Sequence, residues 1–145
     1  MVKSLDHVCL LVKDIDEAIQ HYTNILSVVA PEVVERKIEK RESYAGGDRY
    51  LTAVFTAPGD GCNIQLIQPL NPESPLYKRL ERYGEHLHHL AFTSPHLEDT
   101  VQSLKEKGVS LHGDKLVVNV ENPTVRWTWI LPQYAHGALI EVMDG

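Results

Sequence analysis

The chain reads as one succession of elements written twice, and that duplication limits the folds open to it. Val8-Cys9-Leu10-Leu11-Val12 is a branched, apolar run that predicts a buried strand. Asp14 with Glu17 three residues on forms a capping box. Ile15, Ala18, Ile19, Tyr22, Ile25 and Leu26 then follow at helical spacing, predicting a helix that ends near Leu26 or Ser27. Val33 to Glu42 alternates and predicts a half-exposed strand. Ala45-Gly46-Gly47-Asp48 predicts a turn, and Arg49 to Thr56 and Cys62 to Gln68 predict two more strands. The second half repeats this order. Leu87 to Thr93 is a strand, and Ser94-Pro95 starts a helix with Leu97, Val101 and Leu104 on one face. Lys115 to Val120, Val125 to Leu131 and Leu139 to Met143 predict three strands. A displacement of 82 residues superposes His7 on His89 and Ile19 on Val101; one of 76 superposes Ile64-Gln65-Leu66 on Ile140-Glu141-Val142. Few identities are involved, so the agreement lies in the order of elements. The expected fold is α+β: one domain over 1–145, built of two βαβββ modules at roughly 5–70 and 86–144. A short linker helix at 74–84, begun by Ser74-Pro75 and ended by Gly84, joins them.

At 145 residues, with 43% apolar and 23% charged side chains, the chain can bury a sizeable core without disulfides. A net charge of −6 with no Lys/Arg run argues against nucleic acid as partner. No apolar stretch approaches the roughly 18 residues of a membrane span, and Met1 to His7 holds no secretory h-region. Cys9 and Cys62 stand far apart, so a reduced, cytoplasmic protein is expected.

The repeat singles out four polar residues inside apolar strand runs: His7 and His89 on the first strand of each half, Gln65 and Glu141 on the last. A polar side chain on a buried strand face needs a partner. Each residue alone has a bland explanation, a hydrogen-bonded core histidine or a solvated carboxylate. Four at matching places could satisfy one another around one divalent ion, and mixed nitrogen and oxygen ligation suits Co, Mn, Zn, Ni or Fe.

Leu5-Asp6-His7-Val8, Gln65-Leu66-Ile67-Gln68-Pro69-Leu70-Asn71, His88-His89-Leu90-Ala91-Phe92 and Leu139-Ile140-Glu141 together resemble the vicinal oxygen chelate (glyoxalase/bleomycin resistance/dioxygenase) superfamily. Within it they are most similar to methylmalonyl-CoA epimerase-like members. The resemblance implies a curled mixed sheet around a shared metal site held by His7, Gln65, His89 and Glu141, and a homodimer. In the His88-His89 pair only the second matches, since successive strand residues face opposite sides. The implied chemistry is an isomerase or epimerase acting next to a carbonyl through a metal-stabilised enolate, with Glu141 as candidate base. The implied substrate is a small carbonyl compound such as an acyl-CoA. Alternatives on the same scaffold are a glyoxalase I-like lyase, a dehydratase, hydrolase or oxygenase, and a non-catalytic small-molecule-binding protein.

Two departures stand out. The epimerase carries a second, non-ligand glutamate on the third strand of its first module. Matching strand ends at Ala57-Pro58 puts Ala53 there, and Tyr50 to Pro58 holds no carboxylate; Asp48 and Glu42 are the nearest acids. Asn119-Val120-Glu121-Asn122-Pro123 also replaces a glycine-rich stretch. Beyond it, Trp127 and Trp129 share strand parity, as core packing or as an aromatic wall for substrate, and Arg126 is a candidate for an anionic group. For coenzyme A phosphates the candidates are Lys78, Arg79 and Arg82, or Arg36, Lys37, Lys40 and Arg41.

Overall fold

The computed structural model describes residues 5–112, 116–118 and 125–144. Eight strands form one mixed sheet: β1 (Leu5–Leu11), β2 (Arg41–Ala45), β3 (Asp48–Phe55), β4 (Asn63–Pro69), β5 (His86–Ser94), β6 (Val117–Val118), β7 (Arg126–Ile130) and β8 (Ile140–Asp144). Their order is β2-β3-β4-β1-β5-β8-β7-β6. The two halves thus mirror each other about the β1–β5 pair. β1 runs parallel to β4 with Cys9 opposite Gln65, and β5 runs parallel to β8 with Ala91 opposite Glu141. These are the residues related by the 82- and 76-residue displacements, so the register repeats along with the order of elements.

Among the described residues, three α-helices complete the fold: α1 (Ile15–Val29), α2 (Pro75–Tyr83) and α3 (Leu97–Glu106). Local chemistry starts each of the first two. Asp14 Oδ1 accepts from the amides of Asp16 and Glu17, and Ser74 Oγ accepts from Tyr77 N. Gln68 Oε1 takes the amide of Ile15 and so ties β4 to the start of α1. The apolar stripe of α1 (Ile15, Ala18, Leu26) packs with Val12, Ala53, Phe55 and Leu66 as the main core. On the other side of the sheet, α2 lays Leu76 and Leu80 against Cys9, Leu11 and Ile67.

Several expectations shift. The strand expected over Val33 to Glu42 forms later, at Arg41–Ala45; Pro31–Val34 is instead a 3-10 turn with Pro31 at its start. Helix α1 runs on to Val29. Ser94 closes β5 rather than opening α3, whose cap position is His96. The expected strand over Lys115 to Val120 is described only at Val117–Val118, and the segment Asn119 to Pro123 lies outside the described residues. Gly46 and Gly47 both take positive φ (56° and 89°), which a tight turn matched to the strand twist of the β2–β3 hairpin demands.

Candidate metal centre and active site

Strand parity sorts the side chains into two faces. Leu51, Ala53 and Phe55 of β3 face α1, while Tyr50, Thr52 and Val54 face the opposite side. There they meet His7, Gln65, His89, Trp127, Trp129 and Glu141 around a cavity of about 340 Å³. That volume falls within the size range of small-molecule sites.

Three ligand atoms converge in this cavity. His89 Nε2 lies 2.9 Å from Glu141 Oε2 and 3.1 Å from His7 Nε2, and His7 Nε2 lies 4.0 Å from Glu141 Oε2. Each comes from a different strand. His7 Nδ1 donates to Asp6 Oδ2 at 2.6 Å, which orients the ring so that Nε2 is turned toward the others. Gln65 Nε2 donates to Thr52 Oγ1 at 3.1 Å, which assigns the amide nitrogen to the wall and keeps the carbonyl oxygen for another partner. Two imidazoles, a carboxylate and an amide oxygen are a donor set that fits a divalent ion of the Zn, Co, Mn, Ni or Fe type.

The electrostatics follow from burial. Glu141 is 8% exposed, and loss of water pushes its carboxyl up to about 7; His7 opposes this and Asp6 adds to it. His89, 5% exposed, is driven down to about 3 by burial and by neighbouring His7, so it is a neutral imidazole at ordinary pH. Burial raises the Cys9 thiol well above its usual range. It raises the Tyr50 hydroxyl as well.

The sheet brings His7, Gln65, His89 and Glu141 to one cavity, with Trp127 and Trp129 on its wall. The Trp129 ring stands edge-on to His89, centroids 5.0 Å apart at 78°. Arg126 is placed elsewhere. Its parity on β7 is opposite to that of the tryptophans, and it pairs with Glu98 of α3 and, at 3.1 Å, with Asp144. Ala53 is likewise away from the site, buried against α1. Among the described residues, Asp48 is the other carboxylate on the cavity wall, and its Oδ1 accepts the amide of Leu76 at 3.1 Å. Glu42 is half exposed and pairs with Arg49. Of the basic candidates, Arg41 lines the cavity, Lys40 pairs with Asp16, and Arg79 and Arg82 lie over the Tyr83 ring.

His89, not His88, stands with His7 and Glu141, but the two rings do not lie on opposite faces as strand alternation implies. Cys9 pairs with His89 and Leu10 with Leu87, so His88 is an extra residue in a bulge. A bulge re-aims its side chain. His88 therefore also lines the cavity, with Nδ1 2.8 Å from His89 Nδ1. Sequence reasoning missed Asp6, Thr52 and His88 as supporting groups. Asp6 is legible as the carboxylate beside His7, but nothing local marks Thr52.

A family model for the glyoxalase/bleomycin resistance protein/dioxygenase superfamily matches residues 6–123. The chain belongs to this superfamily. The family's fold is also that of solved structures similar to this chain. Methylmalonyl-CoA epimerase from Mycobacterium tuberculosis superposes with a TM-score of 0.75 at 29% identity, over 99% of this chain and 88% of that one. A Streptomyces coelicolor methylmalonyl-CoA epimerase variant in complex with 2-nitronate-propionyl-CoA superposes with a TM-score of 0.72 at 22% identity, over 100% and 99%. A curated family relative, the uncharacterized protein YqjC of Bacillus subtilis (strain 168), is 28% identical over 143 residues, 97% of this chain and 91% of that protein. No described helix is long and apolar enough to cross a membrane.

Proposed function

We propose that this chain is a divalent-metal-dependent isomerase or epimerase that works on the carbon next to a carbonyl, with a small acyl thioester such as an acyl-CoA as substrate. The observation that carries the reading is the convergence of His7 Nε2, His89 Nε2 and Glu141 Oε2 inside a substrate-sized cavity. With Gln65, these residues would hold the ion. When bound, the ion supplies Lewis-acid stabilisation to a carbonyl oxygen that takes on negative charge.

The chain's own groups supply the rest. Glu141 is the candidate base, a buried carboxylate that faces the substrate cavity. Trp127 and Trp129 offer an apolar wall that keeps water from the reacting carbon, and Arg41 offers a cation on the same cavity. Similarity to the Mycobacterium tuberculosis epimerase over nearly the whole chain supports an acyl-CoA substrate. One observation favours a second reading. Among the described cavity residues, no carboxylate of β3 other than Asp48 faces Glu141, and Asp48 is engaged with Leu76 N. A single base suits proton transfer to a neighbouring carbon, as in a glyoxalase-type isomerisation.

Proton NMR in D₂O tests the proposal. Metal-loaded protein is given methylmalonyl-CoA and other α-substituted acyl and oxo compounds. Metal-dependent deuterium uptake at the α-carbon, lost in Glu141→Ala, is the expected result. Inversion at that carbon marks an epimerase, and label on the adjacent carbon marks the glyoxalase-type reaction. Ligand binding without exchange in the metal-loaded protein would overturn the reading in favour of a binding protein.

A further inference from the structure

A second cavity, of about 370 Å³, opens beside the first. Asp48, Leu76, His88 and Trp129 line both, so the two are contiguous. Three stretches of chain build the second. Pro75, Leu76 and Arg79 stand at three- and four-residue spacing on one face of α2. Leu131 and Pro132 follow β7, and Leu139 leads into β8. Together with Trp129, the residues Pro75, Leu76, Leu131, Pro132 and Leu139 make most of the wall apolar. A cavity of this size and lining suits one end of a small organic molecule.

One arginine interrupts that apolar wall. Arg79 is half-buried and lines the cavity. Its Nε donates to His86 Nε2 at 3.1 Å, and its guanidinium carbon lies 5.6 Å from the centre of the Tyr83 ring. His86 is tied in turn to Gly84 O at 2.8 Å. These contacts fix the guanidinium through one nitrogen. Among the described residues its two Nη groups meet no acceptor, and no carboxylate stands within ion-pair distance. Arg126, also half-buried, is by contrast met by Glu98 and Asp144. A guanidinium partly withdrawn from water, with its end-on donor pair unmatched, favours an anion that offers two oxygens. Asp48 stands where the cavities join, its Oδ1 on Leu76 N at 3.1 Å. A carboxylate there repels an anion from the junction and leaves the Arg79 side as the anionic end.

We propose that the second cavity is the subsite for the remote end of the substrate, an apolar chain or ring that ends in a carboxylate or phosphate held by Arg79. The apolar part packs on Trp129 and Leu131, and the carbonyl end reaches Glu141 in the first cavity. That one molecule spans both cavities rests on the carbonyl substrate proposed above; the anion subsite itself does not. Two sources supply such an anion, a carboxylate that ends the acyl chain and a phosphate on the carrier of the acyl group. Arg79 is then the residue that selects among carbonyl compounds by what they bear far from the reacting carbon.

The test is an NMR titration of the full chain, ¹⁵N-labelled and chelator-treated so that no ion competes for the anion. The probes are 3-phenylpropionate, 3-phenylpropyl phosphate and the neutral 3-phenylpropanol. At least one anion should bind about 10-fold or more tighter than the alcohol, as a charge-assisted hydrogen bond provides. The tighter of the two anions identifies the source. Added salt should weaken the anion and leave the alcohol unchanged. Arg79→Gln should abolish the preference, Arg79→Lys should keep part of it, and Arg82→Ala, an exposed cation over the same Tyr83 ring, should keep all of it. The wild-type comparison of anion with alcohol needs no variant to fold. Equal affinity for all three probes would overturn the subsite. So would a preference that survives Arg79→Gln, or one lost only in Arg41→Ala, which would place the anion in the first cavity. In the metal-loaded enzyme, Arg79→Gln should raise KM about 10-fold for a substrate that exchanges its α-proton and leave kcat within twofold. An unchanged KM would overturn the spanning of both cavities by one molecule. Arg79-dependent probe binding in a protein that exchanges no α-proton would overturn the function proposed above and uphold the anion subsite.

Discussion

Replacing Glu141 by glutamine in the metal-free protein tests how burial sets the charge of the site. The Glu141 carboxyl sits near 7 in the folded protein against an ordinary value of 4.5, because burial withholds water from its charged form. The folded state therefore holds this proton more tightly than the unfolded chain does. Stability from this group is full below the unfolded value, falls as pH rises between about 4.5 and about 7, and stays low above. The penalty is about 3 kcal/mol above pH 7 and under about 1 kcal/mol at pH 5. Glutamine keeps the shape and has no charge to bury, so Glu141→Gln escapes the penalty. Its amide loses some hydrogen bonding to His89, about 1 kcal/mol, but that loss varies little with pH. The clean quantity is the stability difference between variant and wild type, which should grow by about 2–3 kcal/mol in the variant's favour from pH 5 to pH 8. Urea unfolding of chelator-treated protein measures it, with equal m-values confirming comparable unfolding. A flat difference across that range would refute the assignment of a raised Glu141. Adding a divalent ion should reverse the order at pH 8, since wild type binds it more tightly.

Other expectations follow from the same geometry. Ala53→Glu should unfold the protein rather than supply a second base, because it buries an unpaired carboxylate against α1. Val54→Glu, on the cavity side, should still fold, and circular dichroism on both variants checks this. Arg126→Ala should leave metal affinity and substrate binding within twofold of wild type by calorimetry, because the side chain is occupied with Glu98 and Asp144. Asp14→Ala should cost about 1 kcal/mol in urea unfolding through loss of the α1 cap. Phe55→Ala should cost about 3–5 kcal/mol in the same assay, since the ring is wholly buried in the main core.

The features legible in the sequence were those decided locally or by repetition. Asp14 and Ser74 cap their helices because an oxygen two or three residues before a free amide is enough. His7, Gln65, His89 and Glu141 stood out because two halves placed polar residues at equivalent points of apolar strands. The misplaced features depend on register. Ala53 was matched to a strand end counted from Ala57-Pro58, but a strand has a period of two, so one residue of slip exchanges the faces. Tyr50, Thr52 and Val54 reach the cavity, and Ala53 enters the core. Alternation puts His88 on the face opposite His89, and a bulge suspends that rule. Arg126 neighbours Trp127, and that adjacency put it on the opposite face. The edge strand β2 appeared too early because Val33 to Glu42 alternates without pairing; pairing partners on β3 begin only at Arg41.

The central claim is that His7, Gln65, His89 and Glu141 hold one divalent ion. The most direct test is to load chelator-treated protein with cobalt(II) and measure bound metal and its visible absorption per chain. The claim predicts one ion per wild-type chain, affinity lower by at least about 100-fold in His89→Ala and in Glu141→Ala, and unchanged binding in Arg126→Ala. A folded wild-type protein that binds no cobalt, zinc or manganese, or undiminished binding in both the His89→Ala and Glu141→Ala variants, would contradict it.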